Sequence, residues 1–528
     1  MASASEGTPL LGGSDEWKPT TRLRFLQSVT WINVFLTGFD STVAASLYAR
    51  IASDFGQANN AVWVSTSYLV TAVSFQALYG RLSDIYGRRA AFLFGTIVFS
   101  LGSLLCGLST SMTTLFVSRA IAGLGGGGLM TMATVVLSDK VPFERRGLYQ
   151  AANNLMYGLG SASGASLGGV LAYSVGWRAV FLLQVPLSLA AVIGGYVLVE
   201  NVTPLPPGDS LDQAQPPPPP PKVDGLGAAT LVLAVSTLLL GLSMGGNEIA
   251  WSSPASVAIL LSALGLFALF FRVESRAPAP ILPTRMLTGR MALSNVATNF
   301  FSGMAVYSFL FMVPLFFVGA RLEALDVVGA RLFLPALGFP IGAFVAGYVM
   351  STYGKLNLLV RTGCLVLVLG SILPLSFPVD GHPSELYYFF HLIPVQIGQG
   401  LINPSSLFTL IAAFPHADQA VATSTVYLTR NLGNVAGVAL SSAILQNYLV
   451  VKLPVLLKHV PNKAEIIERI RHSTDAIRDL PLDVRTPVQH AYADGIRLAL
   501  VVSTGLAVVA LAASFWARGV GLQRPSPS

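Results

Sequence analysis

Hydrophobic residues in this chain are gathered into long runs that short polar stretches separate. Each run is about 18 to 25 residues long, and at about 1.5 Å per residue such a helix crosses a hydrocarbon core of about 30 Å. The pattern predicts an all-helical integral membrane protein, because helices satisfy their backbone polar groups without water. The predicted spans are 25–49, 61–80, 90–109, 112–137, 148–172, 178–199, 224–243, 254–271, 292–317, 328–351, 357–377, 386–413, 420–447 and 494–517.

Composition and charge agree with a membrane location. Of the 528 residues, 53% are hydrophobic and 11% are charged, which would leave a single globule of this size insoluble in water. The net charge of +7 comes from cations beside span ends on alternate loops, which is the positive-inside pattern rather than a nucleic-acid surface. We therefore expect both termini in the cytosol, the lipid bilayer as a partner and no nucleic acid.

An internal duplication is visible in two short echoes. The segment from Gly80 to Arg88 is repeated from Gly347 to Lys355, and Leu159–Gly164 is repeated at Leu432–Gly437, each eight spans later. The echoes predict two equivalent halves, spans 1–6 and spans 9–14, with spans 7 and 8 inserted between them. Two parallel six-helix halves are typical of transporters, with the substrate site at their interface near mid-membrane. Chance matches among the 50 glycines remain the alternative.

The predicted organisation follows from these spans. A run of prolines, Pro216–Pro221, cannot continue a helix and predicts a stiff linker. The predicted segments are a cytosolic tail (1–24), an N-terminal six-helix bundle (25–199), a proline-rich cytosolic linker (200–223), inserted helices (224–271), a cytosolic linker (272–291), a C-terminal six-helix bundle (292–517) with an outer or lumenal loop (449–492), and a cytosolic tail (518–528).

Asp40 is the carboxylate that the pattern places well inside a span. An unpaired charge there costs several kcal/mol unless it is protonated, hydrated or paired, so we expect Asp40 to be the proton-coupling acid. Asn33, Thr37 and Asp40 share one helical face, which we expect to meet a wet cavity. A structural hydrogen bond near the outer interface is the alternative role.

Arg119 in span 4 is the matching intramembrane cation. Counting from opposite span ends puts Arg119 and Asp40 in the same outer half of the bilayer, so a pair between them is geometrically allowed. The alternative is that the Arg119 side chain extends to the lumenal interface.

Further polar residues recur on single helical faces and predict a substrate cavity. They could hydrogen-bond a zwitterion, or only join helices at about 0.6–2 kcal/mol each. The candidates are Asn153, Asn154 and Tyr157 in span 5, Asn295 and Asn299 in span 9, and Gln396, Gln399 and Asn403 in span 12. Arg430, near the start of span 13, is either an interfacial anchor or a gate.

The run from Gly80 to Arg89 resembles motif A of the major facilitator superfamily. With fourteen spans and the segment Phe39–Val43, the chain resembles the drug:H⁺ antiporter-2 branch, and Phe39–Phe55 with Asn59–Leu69 is similar to fungal vacuolar basic amino-acid transporters. The resemblance implies the major facilitator fold and a role in proton transfer for Arg119, which lies in a run like motif B. It also implies gating roles for Gly80, Asp84, Gly87, Arg88 and Arg89. The alternative for Arg88 and Arg89 is that they only set the topology.

Span 5 contains a run that is similar to motif C, which the family associates with antiporters. Its glycines are Gly160, Gly164, Gly168 and Gly169. Small residues at this spacing also let any two helices pack backbone to backbone. Ala165 stands where the family has proline, and this departure weakens the implication of antiport.

These observations together predict a proton-coupled antiporter of small cationic or zwitterionic solutes. The resemblance implies basic amino acids and the fungal vacuole, and Glu6, Leu10 and Leu11 fit a dileucine signal that a sorting adaptor would read. The alternatives are a plasma-membrane exporter of drugs or secondary metabolites, and a nutrient sensor that does not transport. The chain lacks a nucleophile, base and metal constellation, so we expect neither enzyme activity nor a cofactor.

Overall fold

The described part of the chain is helical throughout its membrane-crossing regions. The computed structural model describes residues 18–55, 63–200, 224–245, 249, 251, 253–277, 280–283, 286–381, 383–415, 418–458, 466–467, 477–478 and 480–517. Within these ranges the α-helices are α1 (Thr21–Phe55), α2 (Trp63–Tyr86), α3 (Arg88–Gly107), α4 (Met112–Lys140), α5 (Phe143–Ser174), α6 (Trp177–Leu182), α7 (Gln184–Leu198), α8 (Gly225–Met244), α9 (Pro254–Glu274), α10 (Arg290–Leu315), α11 (Leu325–Ala336), α12 (Gly338–Tyr353), α13 (Leu356–Ile372), α14 (Glu385–Ala413), α15 (Gln419–Leu456) and α16 (Leu482–Trp516).

Each predicted span coincides with one helix or with two consecutive helices. Span 6 is divided into α6 and α7 at Leu183, and span 10 into α11 and α12 at Leu337. The predicted fold class, two six-helix halves with two inserted helices, is confirmed. Ten helical segments of the described ranges are long and apolar enough to cross a membrane by composition alone. The helices α1, α2, α5 and α14 are more polar, and all four carry predicted site residues.

Several helices extend beyond the predicted spans. Helix α1 begins at Thr21, inside the predicted tail 1–24, and α15 and α16 reach Leu456 and Leu482, inside the predicted outer loop 449–492. Hydropathy marks only the stretch that lipid surrounds, whereas backbone hydrogen bonding continues into polar sequence. The sorting residues Glu6, Leu10 and Leu11 and the proline run 216–221 lie outside the described residues.

The two echoes mark equivalent packing positions in the two halves. Gly80 of α2 packs against the α15 backbone at Ala420, and Gly347 of α12 packs against the α5 backbone at Gly147. The halves therefore meet along two equivalent helix pairs, α2 with α15 and α12 with α5. Both junctions lie at the end of the bundle that carries residues 80–89, which we call the motif-A end. The inserted helix α8 packs beside one junction, where Ser236 hydrogen-bonds Ser74 of α2 at 2.8 Å.

The motif C glycines bring α5 into backbone contact with α1. A methyl group on Gly160 would lie 2.2 Å from the carbonyl oxygen of Phe35, and one on Gly164 would lie 2.3 Å from that of Phe39. The echo residues Gly433 and Gly437 approach α10 in the same way. Helix α5 runs unbroken through position 165, where the family pattern has proline. Because Phe39 precedes Asp40, this packing fixes the helix that carries the buried acid.

Replacement of Gly164 by alanine tests the importance of this contact. We expect Gly164→Ala to lower the free energy of unfolding by about 1–3 kcal/mol, because the added methyl group forces α1 and α5 apart. Gly169→Ala is the matched control, since a methyl group there meets no atom within 4 Å. Thermal unfolding of the purified protein in detergent measures both changes. Equal melting temperatures for the two variants would contradict the prediction.

Candidate functional site

The N-terminal half contains a fully buried ion pair. The Nη1 atom of Arg119 donates to both carboxylate oxygens of Asp40 at 2.8 Å, and its Nε atom donates to the carbonyl oxygen of Val64 at 2.9 Å. The side chains of Arg119 and Asp40 are 1% and 0% exposed. The structure therefore brings the two predicted coupling residues into direct contact, and Arg119 does not extend to the interface.

Apolar and aromatic side chains shield this ion pair. The guanidinium of Arg119 lies 4.4 Å from the ring centre of Tyr68 and 5.6 Å from that of Phe181. Arg119 is about 10 Å along α4 from its first residue, so the pair lies nearer the end opposite motif A. Removing one partner of such a pair costs about 3–5 kcal/mol, because the other charge stays buried without its counter-ion.

The other two polar residues of the same α1 face, Asn33 and Thr37, differ in their surroundings. Asn33 is buried and donates to Thr96 of α3 at 2.9 Å, and Thr37 donates to the carbonyl oxygen of Asn33. Asn33 therefore joins two helices of one half. The ion pair closes the Asp40 end of this face, whereas Thr37 is partly accessible, and the wet cavity along the face stays a prediction.

Motif A folds into a polar cluster at the end of α2. Arg88 donates to Asp84 at 2.6 Å, to Ser83 at 2.7 Å and to Asp139 of α4 at 2.8 Å. Gly87 has a φ of 89°, which favours glycine at this tight connection to α3. The Asp84 carboxyl lies beyond predicted span 2, and burial raises its pKa to about 6 although Arg88 opposes the shift.

The contact between motif A and the C-terminal half is made by Gly80 rather than by the motif's arginines. Arg89 donates to the carbonyl oxygen of Val199 and thus stays within its own half. An arginine that does bridge the halves is Arg146, which donates to Gln419 of α15 at 2.9 Å.

Neutral polar side chains join the halves deeper in the bundle. The Tyr427 hydroxyl lies 2.9 Å from that of Thr134 and accepts a hydrogen bond from Gln150 at 3.3 Å. Asn431 donates to Gln76 of α2 at 2.7 Å. Both links leave α15 and reach helices of the N-terminal half, so α15 forms one wall of the interface between the halves.

Arg430 lies between those two links. Its Nη2 atom donates to the side chains of Asn299 and Ser406 at 2.9 and 3.2 Å and to the carbonyl oxygen of Asn403 at 3.0 Å. Arg430, Asn299 and Asn403 each lie about 14–16 Å from the motif-A end of their helices, near the middle of a bilayer. The structure thus gathers two of the predicted cavity residues around a cation.

The remaining predicted cavity residues lie in several places, and Asn295 is directly beside the Arg430 cluster because Asn299 donates to its side chain at 2.9 Å. Tyr157 hydrogen-bonds Tyr307 of the other half. Asn295 donates to the carbonyl oxygen of Ser406 and joins α10 to α14. Asn153 and Asn154 are buried beside Gln150, Gln396 packs against Gly338 of α12, and Gln399 is partly accessible.

Comparison with known proteins gives consistent matches. The family model of the Major Facilitator Superfamily matches residues 30–225. The chain is 38% identical to "Uncharacterized transporter C460.03" of Schizosaccharomyces pombe over 93% of this chain and 86% of that protein. The chain belongs to the major facilitator superfamily. It is therefore a multi-pass membrane protein with the fold of these transporters.

Two further relatives of this facilitator have informative names. It is 35% identical to "Vacuolar basic amino acid transporter 2" of Saccharomyces cerevisiae over 85% of this chain and 96% of that protein. It is 34% identical to "Multidrug resistance protein fnx1" of Schizosaccharomyces pombe over 92% and 90%. The solved structure of the human organic anion transporter MFSD10 shares the fold, with a TM-score of 0.59, 13% identity and coverage of 94% and 100%.

Sequence reasoning missed several residues of this facilitator's interface. Thr134, Gln150 and Gln76 lie in predicted spans 4, 5 and 2, and Tyr427 and Asn431 flank Arg430 on span 13. The duplication was the available signal. Gly38 packs against the carbonyl oxygen of Tyr157 and Gly303 against that of Arg430, so Tyr157 and Arg430 occupy equivalent positions in the two halves. The cavity prediction for Tyr157 could therefore have been transferred to Arg430.

A double-mutant cycle measures the strength of the ion pair in this facilitator. We expect Asp40→Asn and Arg119→Gln each to lower the free energy of unfolding by about 3–5 kcal/mol. The double variant should lose less than the sum, since neither buried charge then remains. Denaturation of the purified protein in detergent gives the three values. Asp494→Asn, in an exposed pair with Arg497, is the control and should change nothing measurable. Additive losses at Asp40 and Arg119 would contradict the prediction.

Proposed function

We propose that this facilitator exchanges H⁺ for small cationic or zwitterionic solutes and carries basic amino acids into the fungal vacuole. The observation that carries the proposal is the buried Asp40–Arg119 pair. A proton that binds the Asp40 carboxylate removes its negative charge and leaves the positive charge of Arg119 unchanged. Both termini are then in the cytosol, and the end opposite motif A faces the vacuolar lumen.

Protonation of Asp40 would leave Arg119 buried without its counter-ion. That cost favours a different arrangement of α1 against α4, so the two protonation states of Asp40 prefer different conformations. The pair lies near the proposed lumenal end, which gives protons from an acidic lumen a short path. Antiport has its simplest thermodynamic basis when one conformation binds H⁺ more tightly and the solute more weakly than the other conformation does.

The proposed solute class is supported by the interface and by the relatives. The partly accessible side chains of Tyr157, Tyr307 and Arg430 offer hydroxyl groups and N–H donors near mid-membrane, and a zwitterion needs both acceptors and donors. The 35% identity with "Vacuolar basic amino acid transporter 2" of Saccharomyces cerevisiae supports basic amino acids and the vacuole.

A second candidate function is drug efflux at the plasma membrane. The 34% identity with "Multidrug resistance protein fnx1" supports this candidate. This alternative uses the same fold and the same coupling acid, so only the transported solute and the membrane distinguish the two.

Transport into vesicles with an imposed pH gradient tests the proposed function. We expect uptake of lysine, arginine or histidine when the vesicle interior is acidic, and little uptake of a panel of cationic drugs. Asp40→Asn should abolish gradient-driven uptake yet keep exchange of labelled for unlabelled lysine, because exchange needs no net proton movement. Asp40→Glu, which keeps a carboxyl, should retain part of the gradient-driven rate.

Asp494→Asn is the control for these vesicles, since its carboxyl is exposed and far from the ion pair. Monodisperse elution from a size-exclusion column shows that each variant is folded. Gradient-driven uptake that survives Asp40→Asn removes this residue from coupling. Uptake of the drugs but not of the amino acids favours the second candidate.

The dileucine prediction concerns the membrane in which the protein resides. We expect the tagged chain to reach the vacuolar membrane and the combined variant Leu10→Ala and Leu11→Ala to move to the plasma membrane, because an adaptor reads both leucines. Thr8→Ala, within the same segment, is the control. Fluorescence microscopy measures the distribution, and an unchanged vacuolar signal in the leucine variant would exclude this sorting role.

A further inference from the structure

Arg430 differs from the other deeply placed cation because it has no carboxylate partner. The titratable groups that act on its guanidinium are the phenols of Tyr427 and Tyr307. Its hydrogen bonds go to two neutral side chains and one backbone carbonyl oxygen. Within the described ranges, the positive charge of Arg430 is therefore solvated by dipoles and not neutralised.

Part of the guanidinium is available to a ligand. All three hydrogen bonds of Arg430 leave from Nη2, and within the part of the chain that the structure describes neither Nε nor Nη1 has a protein acceptor. The residue is partly accessible although it lies near mid-membrane, so its remaining donors face an internal space. Nε and Nη1 lie on different edges of the planar guanidinium, so each free N–H group can donate one charge-assisted hydrogen bond to an anionic group such as a carboxylate.

The location of Arg430 is that of a substrate site. Residues on both sides of it, Tyr427 and Asn431, bridge to the N-terminal half, so Arg430 lies at the interface between the halves. Its equivalent in the other half is Tyr157, a neutral phenol that hydrogen-bonds Tyr307. The interface therefore has a positive charge on one side and hydroxyl groups on the other.

We propose that Arg430 binds the carboxylate of the transported solute, with Asn299 and Ser406 holding the guanidinium in place. This inference rests on the proposed function, since it names the part of an amino acid that this site takes. The tyrosines beside it supply hydroxyl acceptors and ring faces for the ammonium groups. A solute that carries a carboxylate is then preferred over an amine or a drug cation that lacks one.

Comparison of lysine with lysinamide tests this subsite, because lysine has a carboxylate where lysinamide has a neutral amide. Isothermal titration calorimetry on the purified full-length chain gives both dissociation constants. We expect lysine to bind more tightly than lysinamide. Arg430→Gln should weaken lysine binding about tenfold to a hundredfold and lysinamide binding less than about threefold, since a charged hydrogen bond is lost only with lysine.

Two further variants separate binding from folding. Arg430→Lys keeps the charge but not the planar guanidinium that Asn299 and Ser406 hold, and it should give an intermediate loss for lysine. Arg361→Gln makes the same chemical change on α13, where Arg361 donates to the carbonyl oxygen of Ala517, and should leave both constants unchanged. The melting temperature of each variant is measured alongside.

The outcomes distinguish this inference from the proposed function. Equal affinities of the unchanged chain for lysine and lysinamide overturn the carboxylate subsite and leave amino-acid transport standing. Equal weakening of both ligands by Arg430→Gln also overturns it, because Arg430 would then only shape the cavity. Failure of the unchanged chain to bind any basic amino acid overturns the proposed function and the subsite together.

Discussion

The cost of an unpaired charge inside a bundle constrains both halves of this facilitator. Arg119 meets the constraint with the carboxylate of Asp40, in a pair that is closed to water. Arg430 meets it with neutral acceptors and with access to an internal space. A closed pair responds to a proton, whereas a partly solvated cation responds to an anionic group. Under the proposed function, the two arginines therefore separate proton coupling from solute recognition within one fold.

The duplication relates the buried ion pair of one half to the unpaired Arg430 of the other. Matching glycine contacts put Ala305 and Leu392 of the C-terminal half at the positions of Asp40 and Arg119, and both are buried. Ala305 and Leu392 carry no charge and need no counter-ion. The deeply placed cation of the C-terminal half, Arg430, therefore lies at a different position from Arg119. The backbone contacts that unite each half are the same in both, which leaves the side chains free to diverge.

Sequence reasoning reached the spans, the duplication and the two residues of the ion pair, because hydropathy and glycine spacing act over many residues. It did not reach Asp139 as a partner of Arg88, nor the role of Asn33 in joining α1 to α3. Those contacts depend on how each helix is rotated about its axis. A polar residue has the same effect on hydropathy whether it faces a neighbouring helix or a cavity, so hydropathy alone does not assign Arg430 to either, whereas the duplication does.

The two halves are held together differently from the way each half is held internally. Several ion pairs between described residues, among them Arg88–Asp84, Arg119–Asp40 and Arg331–Glu385, join groups of the same half. The halves meet through glycine contacts, through the hydrogen bond from Arg146 to Gln419 and through neutral groups such as Tyr427 and Asn431. Interhelical hydrogen bonds between neutral groups are worth about 0.6–2 kcal/mol each. Separating the halves at the motif-A end thus costs only a few such bonds. A solute that binds beside Arg430, as we propose, touches this same interface, so a difference in its affinity for the closed and open conformations would shift the equilibrium between them.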